Sequence, residues 1–156
     1  MKSPEINAVV IRHPGSPRRP SARQLDILFA RAWQLAAKKY RITGEARLTA
    51  DVIFVDDQEI ARLNYAHIKH RGPTDAISFP LGSFDPERNA YHLGEVVVGF
   101  ETARREAAER GIPFENEMSR YCVHGFLHLL GYDDSTPALR DRMFEVQEKA
   151  LVPEKI

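Results

Sequence analysis

Two histidines and two aspartates in the C-terminal third of the chain have residue types and a spacing that could do chemistry. His124 and His128 are four residues apart, so on a helix they lie on the same face, one turn from each other. Gly131 is suited to end that helix in the left-handed conformation, and Asp133 and Asp134 follow it. A carboxylate can therefore return towards the imidazoles. Two imidazole nitrogens, one carboxylate oxygen and an open position are typical of a catalytic site for one divalent metal ion.

The same residues also allow a purely structural role. A histidine pair with this spacing can be hydrogen-bonded in a core, and Asp133 or Asp134 can cap the turn before the last helix. A thermolysin-type peptidase is disfavoured, because its motif has a glutamate base directly after the first histidine, where this chain has Gly125. We expect this glycine to leave room for a substrate close to the helix.

Hydrophobic periodicity predicts the elements that must position these side chains. Strands are predicted at 6–11, 47–55, 76–79 and 91–98, and helices at 22–40, 57–66, 101–110, 113–130 and 137–151. Pro80 is expected to end the third strand, with a turn-rich excursion at 81–90. From 121 to 130 the helix that carries the histidines is apolar almost all round, which is typical of a buried helix. The order predicts an α+β fold, in which about five helices pack on a mixed sheet of about four strands around the central metal-binding helix.

Length, charge and cysteine content narrow the class of protein. A chain of 156 residues with 43% hydrophobic and 28% charged residues predicts one domain, residues 1–156. Lys+Arg and Asp+Glu are both 22, so any polyanion must be bound by a local basic surface. Cys122 is the only cysteine, which excludes an internal disulfide and is typical of a reducing compartment. No stretch has the length of a signal peptide or a membrane span, so we expect a cytoplasmic protein without a membrane partner.

Three stretches of the chain resemble the bacterial YbeY family of endoribonucleases and rRNA maturation factors. Residues 124–134 resemble the signature His-Gly-x-Leu-His-Leu-x-Gly-Tyr-Asp-His, with Asp134 in place of the last histidine. Leu63-Asn64 and 73–80 (Pro-Thr-Asp-Ala-Ile-Ser-Phe-Pro) resemble a second signature. Residues 93–96 (Leu-Gly-Glu-Val) resemble a third, with glutamate in place of aspartate. The order and the spacing agree from about residue 6 to residue 150.

The resemblance implies a metal-dependent hydrolase with an α+β fold. It implies a single-strand-specific endoribonuclease in the cytoplasm, acting in 16S rRNA 3′-end maturation and ribosome quality control. The implied partners are rRNA, the small ribosomal subunit, a ribosomal protein and a ribosome-assembly GTPase. Carried over by position, the metal ligands are His124, His128 and Asp134. Asp133 is equally charged and is the alternative ligand if the turn differs; we favour Asp134 as the ligand and Asp133 as a turn-forming or supporting group. The attacking water would be activated by the metal, so no separate catalytic side chain is predicted.

Two departures from the family pattern bear on the activity. Zinc remains the expected metal, although an aspartate ligand makes the ion a weaker Lewis acid and favours harder metals such as manganese more than histidine does. The loop position where the family usually has arginine is Ile68, and Lys69, His70 and Arg71 are candidates for the RNA contacts. The alternative is a catalytically weakened ribosome-assembly factor that binds metal and RNA. A further possibility is an ion that only holds the helix to its following turn.

Overall fold

The computed structural model describes residues 4–36, 46–68 and 76–152 as four strands and five helices. In chain order they are β1 (Glu5–Arg12), α1 (Ala22–Leu35), β2 (Arg47–Val55), α2 (Asp57–Ile68), β3 (Ala76–Asp85), β4 (Ala90–Gly99), α3 (Phe100–Arg110), α4 (Phe114–Leu129) and α5 (Pro137–Leu151). This order confirms the predicted α+β fold. Among the described residues, no helix combines the length and the apolar character needed to cross a bilayer.

The four strands form one mixed sheet in the order β1-β2-β4-β3. β1 pairs with β2 and β2 with β4 in parallel, whereas β3 pairs with β4 in antiparallel fashion. At the β1 edge, the Ala8 backbone N–H donates to Asp26 Oδ1 of α1 over 2.6 Å. This hydrogen bond uses a backbone N–H that an edge strand would otherwise leave free to pair with a strand of another chain.

The prediction that Pro80 ends the third strand was wrong. β3 continues to Asp85, with Pro80 opposite Gly94 and a shift of register between Pro80 and Ser83. Gly82 has a φ of 64° at this irregularity. β3 is an edge strand, where a proline can turn the side that lacks an N–H away from the pairing strand. The register shift therefore interrupts the pairing with β4 without ending the strand.

The first helix is shorter than predicted. α1 begins after Ser21, whose side chain and that of Gln24 form a reciprocal capping box, as in many helix starts. It ends at Leu35, because Ala36 is extended (φ −79°, ψ 143°). The predicted continuation to Tyr40 includes residues 37–40, which lie outside the described residues.

The helix that carries the histidines is central, as the sequence predicted. α4 packs against α1, α3, α5 and the strands β3 and β4. Its Phe126 is fully buried and stacks on Phe29 of α1, with ring centroids 4.3 Å apart. On β4, Val96 and Val98 belong to this core, whereas Val97 packs with α2 on the opposite face of the sheet. The main core therefore lies between the sheet and α4.

Gly125 faces the sheet and not a substrate. A Cβ at this position would lie closer than 3.0 Å to Val96 Cγ1 and 3.2 Å from Ser78 Oγ. The Ser78 hydroxyl donates a hydrogen bond to the Gly125 carbonyl over 2.9 Å. The expectation that Gly125 leaves room for a substrate is therefore wrong, because β3 and β4 occupy that space. The glycine lets the helix approach the sheet and so fixes the position of the adjacent His124 relative to it.

Candidate metal centre

The end of α4 brings the segment after it back over the histidines. Gly131 has a φ of 103°, as predicted for a residue that stops the helix. Its N–H donates to the His128 carbonyl over 3.0 Å, and the Tyr132 N–H donates to the Leu127 carbonyl over 3.1 Å. These two bonds form a Schellman motif, which reverses the chain within two residues. The following Asp134 consequently lies beside the helix face that carries the histidines.

Three side-chain atoms converge at this point. The Nε2 atoms of His124 and His128 are 3.2 Å apart, and Asp134 Oδ2 is 3.5 Å from each of them. The two imidazole rings are nearly perpendicular, at 85°. Within the described ranges, no other group of three or more His, Cys, Asp or Glu side chains converges in a way that could hold a metal ion.

The outer nitrogens of both imidazoles face hydrogen-bond acceptors. His124 Nδ1 is 2.8 Å from Gln147 Oε1, and His128 Nδ1 is 2.9 Å from the Tyr132 carbonyl oxygen. An acceptor at Nδ1 assigns the proton to that nitrogen in a neutral imidazole, so each Nε2 carries a lone pair. Two lone pairs and the Asp134 carboxylate therefore face one another. Such a cluster of acceptors is suited to bind a cation at its centre.

The triangle of these atoms fits a small divalent ion. An ion with tetrahedral ligands at 2.0–2.1 Å holds the ligand atoms about 3.3–3.4 Å from one another. The three separations here are 3.2, 3.5 and 3.5 Å. Two imidazole nitrogens and a carboxylate oxygen are also an established donor set for zinc. The residues present therefore fit the implied ion in both chemistry and spacing.

The neighbouring aspartate has a different environment. Asp133 Oδ1 accepts a hydrogen bond from the Ser135 N–H over 2.9 Å, and Oδ2 accepts from the Ser135 hydroxyl over 2.8 Å. These bonds lower the pKa of Asp133, the bond from the side chain being the larger cause. Asp133 thus closes the turn before Thr136, whose hydroxyl accepts from the Leu139 N–H and caps α5.

The centre is open on one side. The exposed fractions of the side chains rise from 16% for His124 to 28% for His128 and 40% for Asp134. A cavity of about 390 Å³ also adjoins His124, with Phe144 and Gln147 among its lining residues. The exposure of the three side chains therefore increases from His124 towards Asp134.

Sequence reasoning missed Gln147, which supports His124 from α5. Gln147 is buried, on the same side of α5 as Met143 and Ala150. A polar residue among the buried positions of an amphipathic helix needs a partner, and this is the signal that could have found it. The predicted RNA-binding residues Lys69, His70 and Arg71 lie outside the described residues, as does the side chain of Ile68.

Comparison with known proteins identifies relatives along most of the chain. The family model of endoribonuclease YbeY matches residues 17–153. Endoribonuclease YbeY of Chelativorans sp. (strain BNC1) is 35% identical over 133 residues, which are 85% of this chain and 80% of the relative. That of Aquifex aeolicus (strain VF5) is 43% identical over 110 residues, 70% and 71% of the two chains. The solution structure of TM1509 from Thermotoga maritima is similar with a TM-score of 0.57 and 28% identity, covering 94% of this chain and 86% of that one.

Proposed function

Because the chain belongs to the YbeY family of endoribonucleases, we propose that it is a single-domain, metal-dependent endoribonuclease that cleaves single-stranded RNA. The observation that carries the proposal is the convergence of His124 Nε2, His128 Nε2 and Asp134 Oδ2 in a chain of this family. The substrate proposed with it is the 3′ end of 16S rRNA in the cytoplasm, within ribosome maturation and quality control.

The three side chains hold one divalent ion, for which zinc is the metal we propose. When bound, the ion supplies a Lewis acid that polarises a phosphoryl oxygen and lowers the pKa of a coordinated water. Gln147 and the Tyr132 carbonyl orient the two imidazoles by accepting their Nδ1 protons. Asp134 contributes negative charge, which makes the ion less strongly acidic than a third neutral imidazole would. We assign no separate general base among the described residues.

RNA binding is proposed to involve residues 69–71, which follow α2 in the sequence. Lys69, His70 and Arg71 supply positive charge within three consecutive residues. Phosphate contacts of this kind position a nucleic acid without reading its sequence. The family resemblance implies the proposed partners, which are rRNA within the small ribosomal subunit, a ribosomal protein and a ribosome-assembly GTPase.

The direct test is cleavage of a labelled single-stranded RNA that contains the 3′ region of 16S rRNA. We expect cleavage by the metal-loaded protein, and its loss on chelation and in the double variant His124→Ala, His128→Ala. Asp133→Ala is the matched control, because it removes a neighbouring carboxylate that bonds to Ser135. Cleavage that survives both chelation and the double substitution would exclude the proposed mechanism.

The second candidate is an assembly factor that binds metal and RNA but cleaves weakly. The observation that favours it is the carboxylate in the third ligand position, together with Ile68 where the family usually has arginine. The double variant Asp134→His, Ile68→Arg separates the two functions. A large gain in cleavage without tighter RNA binding would favour the assembly factor, whereas the nuclease predicts substantial cleavage before the change.

A further inference from the structure

We propose that Gln147 is a positioning residue, which selects the tautomer of His124 and thereby directs its Nε2 lone pair towards His128 and Asp134. The inference rests on the proposed metal site for its functional consequence. The selection of the tautomer, however, is a property of the metal-free protein and can be measured there.

The Gln147 amide has one defined orientation. Its Nε2 donates to Glu148 Oε2 over 2.9 Å. An ionised carboxylate only accepts hydrogen bonds, so the NH₂ end of the amide must face Glu148. The carbonyl end, Oε1, is thereby left 2.8 Å from His124 Nδ1. A carbonyl oxygen can only accept, and the proton must consequently lie on Nδ1 of His124.

The carboxylate that orients the amide is itself held by α4. Arg120 donates to Glu148 through Nε over 3.0 Å and through Nη2 over 3.1 Å. This paired geometry fixes both oxygens of the carboxylate. Arg120 lies one helical turn before His124. These hydrogen bonds therefore connect Arg120 of α4 to the adjacent pair Glu148 and Gln147 of α5, and then to His124 of α4. The series begins and ends on the same helix.

The two histidines are supported in different ways. The acceptor for His128 is the Tyr132 backbone carbonyl, which the turn at Gly131 places and which no side-chain substitution removes. The acceptor for His124 is the side chain of Gln147. A change at position 147 should therefore alter His124 alone, and His128 serves as an internal reference within the same molecule.

The variants follow from this arrangement. Gln147→Leu keeps a similar volume and removes the acceptor, and Gln147→Met provides a second, more flexible replacement. Gln147→Glu combined with Glu148→Gln exchanges the donor and the acceptor between the two positions. This exchange still leaves an acceptor for His124 Nδ1 and one for Arg120, so it should rescue the tautomer. Gln58→Leu, at an exposed position of α2, is the matched control.

The readout is a long-range ¹H–¹⁵N correlation NMR spectrum of the imidazoles in the metal-free protein. It is recorded at a pH about 1.5 units above the ordinary histidine pKa, where an ordinary imidazole is neutral. In the wild type, both histidines should carry the proton on Nδ1. In Gln147→Leu and Gln147→Met, His124 should populate the Nε2–H tautomer while His128 stays unchanged. Zinc affinity, measured by chelator competition, should fall about 10–100-fold and return in the exchanged double variant. Gln58→Leu should change neither quantity.

Two results would overturn the inference. One is that His124 keeps its Nδ1 proton in folded Gln147→Leu or Gln147→Met, and the other is that the tautomer changes while zinc affinity does not. Melting of the metal-free variants identifies any that do not fold. A wild-type protein that binds no zinc would remove the proposed metal site instead, and the tautomer comparison would still decide whether Gln147 selects the state of His124.

Discussion

The close approach of α4 to the sheet predicts that Gly125→Ala destabilises the protein, although alanine is the better helix former. Replacing a helical glycine by alanine ordinarily stabilises by about 1 kcal/mol. Here the added methyl would lie closer than 3.0 Å to Val96 Cγ1 and 3.2 Å from Val96 Cγ2. Val96 is fully buried and has no flexible end that could move aside. Overpacking of this kind costs about 1–3 kcal/mol, so we expect a net loss in the free energy of unfolding.

A double-mutant cycle with Val96→Ala isolates the contact. Val96→Ala alone should cost about 2 kcal/mol, because it removes two buried methyl groups. In the double variant the methyl group added by Gly125→Ala enters the space that the valine leaves. The double variant should therefore be more stable than the sum of the single effects predicts, by about 1–3 kcal/mol.

The assay is urea unfolding of the metal-free proteins, in which the free energy of unfolding is extrapolated to water. A loss of 1 kcal/mol should lower Tm by about 2–4 °C in a chain of this size. Additive effects at Gly125 and Val96 would refute the proposed packing, as would a Gly125→Ala variant that is more stable than the wild type. In either case, the absence of a side chain at Gly125 would not be what sets the distance between α4, with its histidines, and the sheet.

The environments of individual side chains give three more predictions. Asp134→Ala should reduce zinc affinity by more than the 10–100-fold typical of a lost supporting hydrogen bond, whereas Asp133→Ala should leave it close to wild type in a chelator competition. Burial raises the pKa of the Cys122 thiol, so a thiol reagent should react with it only after unfolding, and rapid reaction of the native protein would contradict this. Hydrogen bonds from Arg120 are the largest cause of the lowered pKa of Glu148. Glu148→Gln should therefore lower the free energy of unfolding at neutral pH. This difference from wild type should disappear as the pH falls below 4.5 and through the lowered pKa, where Glu148 becomes protonated.

The local features of the fold could be predicted from the sequence because each has a local cause. The helices predicted to begin at 22 and 137 do begin there, because the side chains of Ser21 and Thr136 cap their own helices. Gly131 ends α4 because glycine tolerates its positive φ. The spacing of His124 and His128 likewise requires no more than a helix between them. These predictions depend on a few neighbouring residues.

The features that the sequence did not predict depend on contacts with distant parts of the chain. The sequence predicts that Pro80 ends a strand, but the strand continues because it lies at the edge of the sheet, where a proline is tolerated. The direction of Gly125 could not be predicted from α4 alone, because the helix is apolar almost all round there and several of its sides could face the sheet. Gln147 lies 23 positions after the histidine that it contacts, in another helix. Each of these depends on tertiary packing.

The candidate metal centre also differs from the sheet in the sequence distance that its contacts span. The three proposed ligands lie between positions 124 and 134, whereas the parallel pairing of β1 with β2 joins Glu5 to Arg47. The entropy of loop closure grows with the logarithm of loop length, which makes the shorter closure easier by about 1 kcal/mol. Contacts close in sequence also form faster than parallel strand pairs. We therefore expect α4, its turn and α5 to bring the ligand atoms together early in folding, with the slower sheet then holding them in place.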